Sequence, residues 1–214
     1  MTILYTLYKN TYIDLSHLDS TKGVTCYVNT TNRCPCACTF CLRQTKEMME
    51  NNSLWLKEEP SKEMIIEEFK KYNLNDFKEI VFCGFGEPME RWDDIKEVID
   101  YIRSVKKDMK IRINTNGLAN DIYDRDVTSE YKGRFDTVSI SLNAPTKEEF
   151  LELTRSKFGI SSFDDMLDFA KKCKAYVPNV VLTVVDIIGE EKIEACQKIT
   201  DEIGVTLRVR PFEE

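Results

Sequence analysis

Six short runs of β-branched and apolar residues, separated by stretches with helical apolar spacing, constrain this chain more than any other feature. They are Val24 to Asn29, Glu79 to Cys83, Lys110 to Asn114, Thr137 to Leu142, Val180 to Val185 and Thr206 to Arg210. Most are nearly continuous apolar runs, the pattern of strands buried on both faces of a parallel sheet. Between them, Trp92, Ile95, Ile99, Ile102 and Val105 recur at three- and four-residue steps and form one face of a helix. Thr146 with Glu149 and Ser162 with Asp165 read as capping boxes opening two more helices, and Ser61 to Tyr72 reads as another. A helix carrying Ile193, Cys196, Ile199 and Ile203 is expected to stop at Gly204, which suits a left-handed C-terminal cap. Alternating strands and helices imply an α/β fold with a parallel sheet and right-handed crossovers, either open and doubly wound or curled into part of a (β/α) barrel. Upstream, Ile3 to Leu15 reads as a hairpin turning at Lys9-Asn10. With 214 residues and no linker or repeat, a single domain is expected over 1–214, a hairpin extension in 1–23 preceding the core in 24–211.

Composition narrows the chemistry. The N-terminus has no basic segment followed by a long apolar run, so no secretory leader is read, and the apolar stretch from Val180 to Ile188 is far too short to span a bilayer. A cytoplasmic location without membrane association is expected. There, eight cysteines would be kept as thiols, which favours metal or redox chemistry over a disulfide framework. A formal charge of −7 argues against a broad duplex-binding surface. His17 is the only histidine, which removes the material for a His-based triad or a Cys/His zinc site.

Directly after the first core strand comes Asn32-Arg33-Cys34-Pro35-Cys36-Ala37-Cys38-Thr39-Phe40-Cys41-Leu42-Arg43, with four thiols in eight residues. Thiolates are the standard ligands of iron–sulfur clusters, and short spacings let one loop wrap a cluster. The same four thiols also suit a zinc ion or a redox pair, although the second, distant pair of ligands usual for structural zinc is missing. Cys173 and Cys196 fall on apolar helix faces and Cys26 within a strand, as small buried hydrophobes do; Cys83 precedes a glycine turn.

Chemistry in a parallel α/β sheet gathers beyond the carboxyl ends of the strands. There the chain carries Gly84-Phe85-Gly86-Glu87-Pro88, Asn114-Thr115-Asn116-Gly117, Ser139-Ile140-Ser141-Leu142-Asn143-Ala144-Pro145 and, on the last strand, Leu207-Arg208-Val209-Arg210-Pro211. The same residue types also build ordinary turns. Strand alternation puts Arg208 and Arg210 on one face, where they are either poised for a carboxylate or phosphate of a substrate or solvated.

The spacing Cys34-x3-Cys38-x2-Cys41, with Phe40 before the last cysteine, resembles the signature of the radical S-adenosylmethionine (SAM) superfamily. The resemblance implies a partial (β/α)6 TIM-like barrel and a [4Fe-4S] cluster held by Cys34, Cys38 and Cys41, whose open iron chelates SAM; Cys36 lies outside the signature. It implies that Gly84, Gly86, Glu87 and Pro88 match the motif that meets the amino group of SAM. Asn114, Ser141 and Asn143 match positions that hold its ribose or carboxylate. The implied reaction is reductive cleavage of SAM to methionine and a deoxyadenosyl radical that abstracts hydrogen from a small-molecule, nucleotide or protein substrate, with a flavodoxin or ferredoxin as reductant. Together the four motifs are similar to those of the TatD-linked radical SAM proteins, which implies association with a TatD-family nuclease. An activating enzyme of the glycyl-radical type and a non-catalytic iron–sulfur electron carrier are the alternatives.

Overall fold

The computed structural model describes residues 1–45 and 53–212. These fall into two compact units, one made of 1–33 and 53–113, the other of 34–45 and 114–212.

In the first unit, β1 (Leu4–Tyr8) and β2 (Thr11–Asp14) form the expected hairpin, in register from Tyr5↔Asp14 to Tyr8↔Thr11. Lys9 and Asn10 both take positive φ, 48° and 62°, the turn whose twist matches that of two paired strands. The hairpin joins the sheet, because β1 also pairs antiparallel with β3 (Thr25–Val28) at Leu4↔Val28. Next come β4 (Glu79–Phe82) and β5 (Ile111–Thr115), both parallel, giving the order β2-β1-β3-β4-β5. Alternation sorts the faces: Val28, Phe82 and Ile113 share a fully buried row, while Tyr27, Val81 and Arg112 lie in register on the opposite face. Helix α2 (Lys62–Lys70) starts at Ser61, whose hydroxyl accepts from Met64 N at 3.2 Å, and packs against α3 (Trp92–Val105). Trp92, Ile95, Val98, Ile99 and Ile102 of α3 are all buried, each contributing on the order of 1.5–3 kcal/mol. Val105 departs from expectation. It is 55% exposed, because it is the last helical residue and Lys106 turns extended before the apolar stripe reaches the core.

In the second unit, β6 (Thr137–Ser141), β7 (Asn179–Val185) and β8 (Thr206–Arg210) are parallel in that order. Five helices accompany them: α1 (Leu42–Thr45), α4 (Ala119–Tyr123), α5 (Lys147–Thr154), α6 (Ser162–Cys173) and α7 (Glu190–Ile203). As expected, Thr146 caps α5 by accepting from Glu149 N at 3.3 Å, and α7 ends at Gly204 with φ 73°. The capping box at Ser162 and Asp165 is a correction. Ser162 is the first helical residue and fully buried, its hydroxyl engaging Ser156 Oγ and Gly159 O, both at 2.7 Å. A 3-10 turn over Gly159–Ser161 leads the chain into α6 already in helical conformation, so no extended residue is left to cap it. Helix α6 packs on β6 and β7, and α7 on β7 and β8. No described helix is long and apolar enough to cross a membrane.

Candidate functional site

The turn after β4 is built by close backbone approach. A Cβ on Gly86 would lie 2.6 Å from Arg33 O and closer still to Thr31 O, and one on Gly84 would collide with Asn29 Oδ1. The turn is fastened where it is pressed. Glu87 N donates to Arg33 O at 2.8 Å, and the buried Glu87 carboxylate accepts from Met89 N at 3.1 Å, capping the turn that begins at Pro88. Asn29 anchors the other side, its amide donating to Leu54 O at 2.7 Å and Thr2 O at 3.3 Å while its fully buried Oδ1 has no hydrogen-bond partner among the described residues.

Sequence reasoning missed Glu59, which ties this region together. One of its oxygens takes Arg33 Nε at 2.9 Å and the Thr31 hydroxyl, the other Arg91 Nη1 at 3.4 Å. Arg91 in turn donates to Pro60 O at 3.0 Å and Thr30 O at 3.3 Å, and Asn32 clasps Leu56 with Nδ2 to O at 2.7 Å. Glu59 lies in no periodic segment, so nothing in its neighbourhood marks it. Glu59→Ala is expected to lower stability by about 1 kcal/mol, since the carboxylate is a third exposed and screened, with Glu59→Gln recovering part; thermal unfolding reads both.

On the same sheet, Arg112 forks onto Glu79 (Nε to Oε1 3.2 Å, Nη2 to Oε2 3.0 Å), and Tyr27 beside it stacks on Tyr5 with ring centroids 5.2 Å apart. Tyr5 donates its hydroxyl to Cys83 O at 3.1 Å. Asn114, two residues after Arg112 on β5, shares its face.

In the second unit the cysteine loop is laced to the end of α5. Ala37 N donates to Thr154 O and Thr39 N to Leu153 O, both at 2.9 Å, so the loop satisfies carbonyls that a helix end leaves without partners. Lys157 N returns a bond to Pro35 O at 2.9 Å. Cys34, Cys38 and Cys41 are partly exposed, as is Phe40, whereas Cys36 is buried. Cys36 N donates to Cys34 Sγ at 3.4 Å, and the neighbouring Cys34 and Cys38 thiols, with burial, drive the Cys36 pKa far above the ordinary range. The adjacent Cys36 thiol holds Cys38 below its usual range, and burial pushes Cys41 up. Asn116 reaches Cys36 Sγ with Nδ2 at 3.8 Å while its Oδ1 accepts from Leu118 N, so a residue of the strand-end turn steadies the buried thiol. Arg43 Nη2 donates to Cys36 O at 3.3 Å. By contrast, Cys26 and Cys173 are fully buried thiols whose pKa burial raises, as inert core residues.

Among the described residues no three His, Cys, Asp or Glu side chains already converge on a metal-sized point. The donor set nevertheless suits a cluster. Three accessible thiols on one loop lie within electrostatic reach of one another, and loss of their protons would trade S–H contacts for metal bonds.

Ser141, Thr183 and Arg208 stand in register across β6, β7 and β8. Beyond β6, Asn143 adopts φ 60°, a left-handed conformation that asparagine tolerates, and donates its N–H to Thr183 O at 3.2 Å. The residue is 4% exposed, and its Oδ1 has no hydrogen-bond partner among the described residues.

A sequence profile of the radical SAM superfamily matches residues 28–203. No curated protein sequence matches the chain. Among solved structures, SuiB of Streptococcus suis bound to the precursor peptide SuiA aligns with a TM-score of 0.65 at 16% identity, over 91% of this chain and 40% of that one. A radical SAM methyltransferase from Sphaerobacter thermophilus aligns at 0.59 and 12%, over 99% and 78%. Methylornithine synthase (PylB) aligns at 0.59 and 15%, over 92% and 56%. This chain thus spans about 40% of the length of the SuiB chain. The likenesses establish the fold as α/β of the partial (β/α)6 TIM-like barrel type; the first unit has the parallel strands β3 to β5 and the second β6 to β8.

Proposed function

Because this chain belongs to the radical SAM superfamily, we propose that it is an enzyme that cleaves SAM reductively and takes hydrogen from a substrate, using a [4Fe-4S] cluster on Cys34, Cys38 and Cys41. The observation that carries this reading is the cysteine loop. Three accessible thiols sit at the family spacing on a segment whose backbone is fixed by the end of α5. Cluster and SAM, when bound, supply one-electron chemistry that yields a carbon-centred radical. The protein's task is to hold SAM, exclude water and orient the substrate.

In this reading Phe40 shields the loop, and the Gly84, Gly86, Glu87 and Pro88 turn receives the amino group of SAM through its close-packed backbone. Asn114, Ser141 and Asn143 take the ribose and carboxylate, with the unmet Asn143 Oδ1 accepting a hydroxyl or ammonium hydrogen. The motif set also supports a place among the TatD-linked radical SAM proteins, a flavodoxin or ferredoxin as reductant, and association with a TatD-family nuclease. A reduced cytoplasm suits the accessible thiols.

Asn143 gives a separable prediction. Glycine adopts φ 60° without strain, so Asn143→Gly removes the side chain and leaves the turn intact. SAM affinity is expected to fall about five- to tenfold, the worth of one hydrogen bond, with thermal stability held or raised. Calorimetric titration of SAM into the reconstituted protein measures it, and unchanged affinity would remove Asn143 from the site. The reading as a whole is tested by electron paramagnetic resonance of the reduced protein: a [4Fe-4S] signal that changes when SAM is added is expected, and a signal indifferent to SAM would count against it.

A further inference from the structure

Two cations on β8 have no acidic partner among the described residues. Ile140 of β6 lies in register with Leu182 and Leu207, and its side chain meets the Gly117 position together with Met166 of α6. The residues one step on, Ser141, Thr183 and Arg208, therefore face away from α6, and Arg210, beside Val185, shares that face. Neither arginine makes an ion pair with a described residue. Arg210 Nε is buried and has no acceptor among the described residues, an unfavourable state for a guanidinium N–H. The chain has 37 acidic residues against 30 basic, so the want of a partner here is not a general shortage of carboxylates. The same row carries the partly exposed Ser141 and the buried Thr183, whose hydroxyl donates to Ile140 O at 3.4 Å.

Resting on the reading that the active site lies beyond the strand ends, we infer that the substrate carries an anionic group, a phosphate or a carboxylate, that docks on Arg208 and Arg210. The planar guanidinium forks match two oxygens of such a group. The anion belongs to the substrate and not to SAM, whose own carboxylate the function proposed above assigns to Asn114, Ser141 and Asn143.

The test uses the full chain reconstituted with cluster and SAM, titrated calorimetrically with inorganic phosphate and, separately, with succinate. Saturable binding of at least one is expected, and which one binds assigns the group as phosphate or carboxylate. Arg210→Ala should weaken that binding at least tenfold, Arg210→Lys should restore only part because an ammonium lacks the fork, and SAM affinity should stay within twofold. Arg208→Ala, at an exposed position that folding does not depend on, should also weaken it and serves if the Arg210 variants misfold. Saturable binding of neither anion, binding unaltered in the variants, or SAM affinity falling in step with anion affinity would overturn the inference. Failure of the wild-type protein to bind SAM at all would instead strike the function proposed above.

Discussion

Replacing Cys38 with alanine should reduce iron and sulfide to background after anaerobic reconstitution, whereas Cys36→Ala should leave the cluster loaded. The two thiols differ in what the fold does with them. Cys38 is partly exposed and stands at the family spacing from Cys34 and Cys41, within reach of an incoming metal. Cys36 is 4% exposed, steadied by Asn116 Nδ2, and holds its proton firmly. A [4Fe-4S] cube left with two protein ligands is not retained, so the loss at Cys38 should be near total, and Cys34 and Cys41 should behave likewise. Truncating Cys36 deletes one small buried group at a cost of about 1 kcal/mol and removes a thiol neighbour of two ligands. The readouts are metal and sulfide content and the visible absorption of the cluster. Loading that survives at Cys38 but fails at Cys36 would reassign the ligands.

Gly86→Ala should be the most damaging single-methyl change outside the cysteine loop. The added Cβ would meet Arg33 O at 2.6 Å and Thr31 O more closely, and both are main-chain atoms that cannot swing aside. Moving them strains the Glu87 N to Arg33 O bond and the ion pairs of Arg33 with Glu59 and Glu90. Overpacking against rigid neighbours costs about 3 kcal/mol, which for a chain of this size lowers the melting temperature by roughly 6–12 °C. SAM affinity should fall at least tenfold, because the turn displaced is the one assigned to the amino group. Gly133→Ala is the control. It sits at φ +75° with nothing within 4 Å, so it should cost only the backbone strain of about 1 kcal/mol and leave SAM affinity unchanged.

The strands and most helices were legible because their signals are local. β-branched runs mark β3 to β8 to within a residue or two, Lys9-Asn10 marks the hairpin, and Gly204 marks the end of α7. What could not be read depends on distant partners. The pairing of β1 with β3 is set by Leu4 meeting Val28, and no local pattern encodes it. Ser162 has the spacing of a cap, yet Ser156 and Gly159 claim its hydroxyl. At the site, the thiols and the strand-end turns announce themselves by residue type. Glu59 does not, because its role consists of three partners brought from Thr31, Arg33 and Arg91 by the fold. The left-handed backbone and unmet oxygen of Asn143 are likewise visible only in three dimensions; in sequence the residue is an asparagine before Ala-Pro, as in many turns.

The central claim is that the cysteine loop supports radical chemistry on SAM and is not merely an electron relay. The most direct measurement is to reconstitute the protein anaerobically with iron and sulfide, add SAM and dithionite, and quantify products. The account predicts methionine and deoxyadenosine in equal amounts, both absent without dithionite and both absent in Cys38→Ala. A fully loaded, reducible cluster that leaves SAM intact would contradict it.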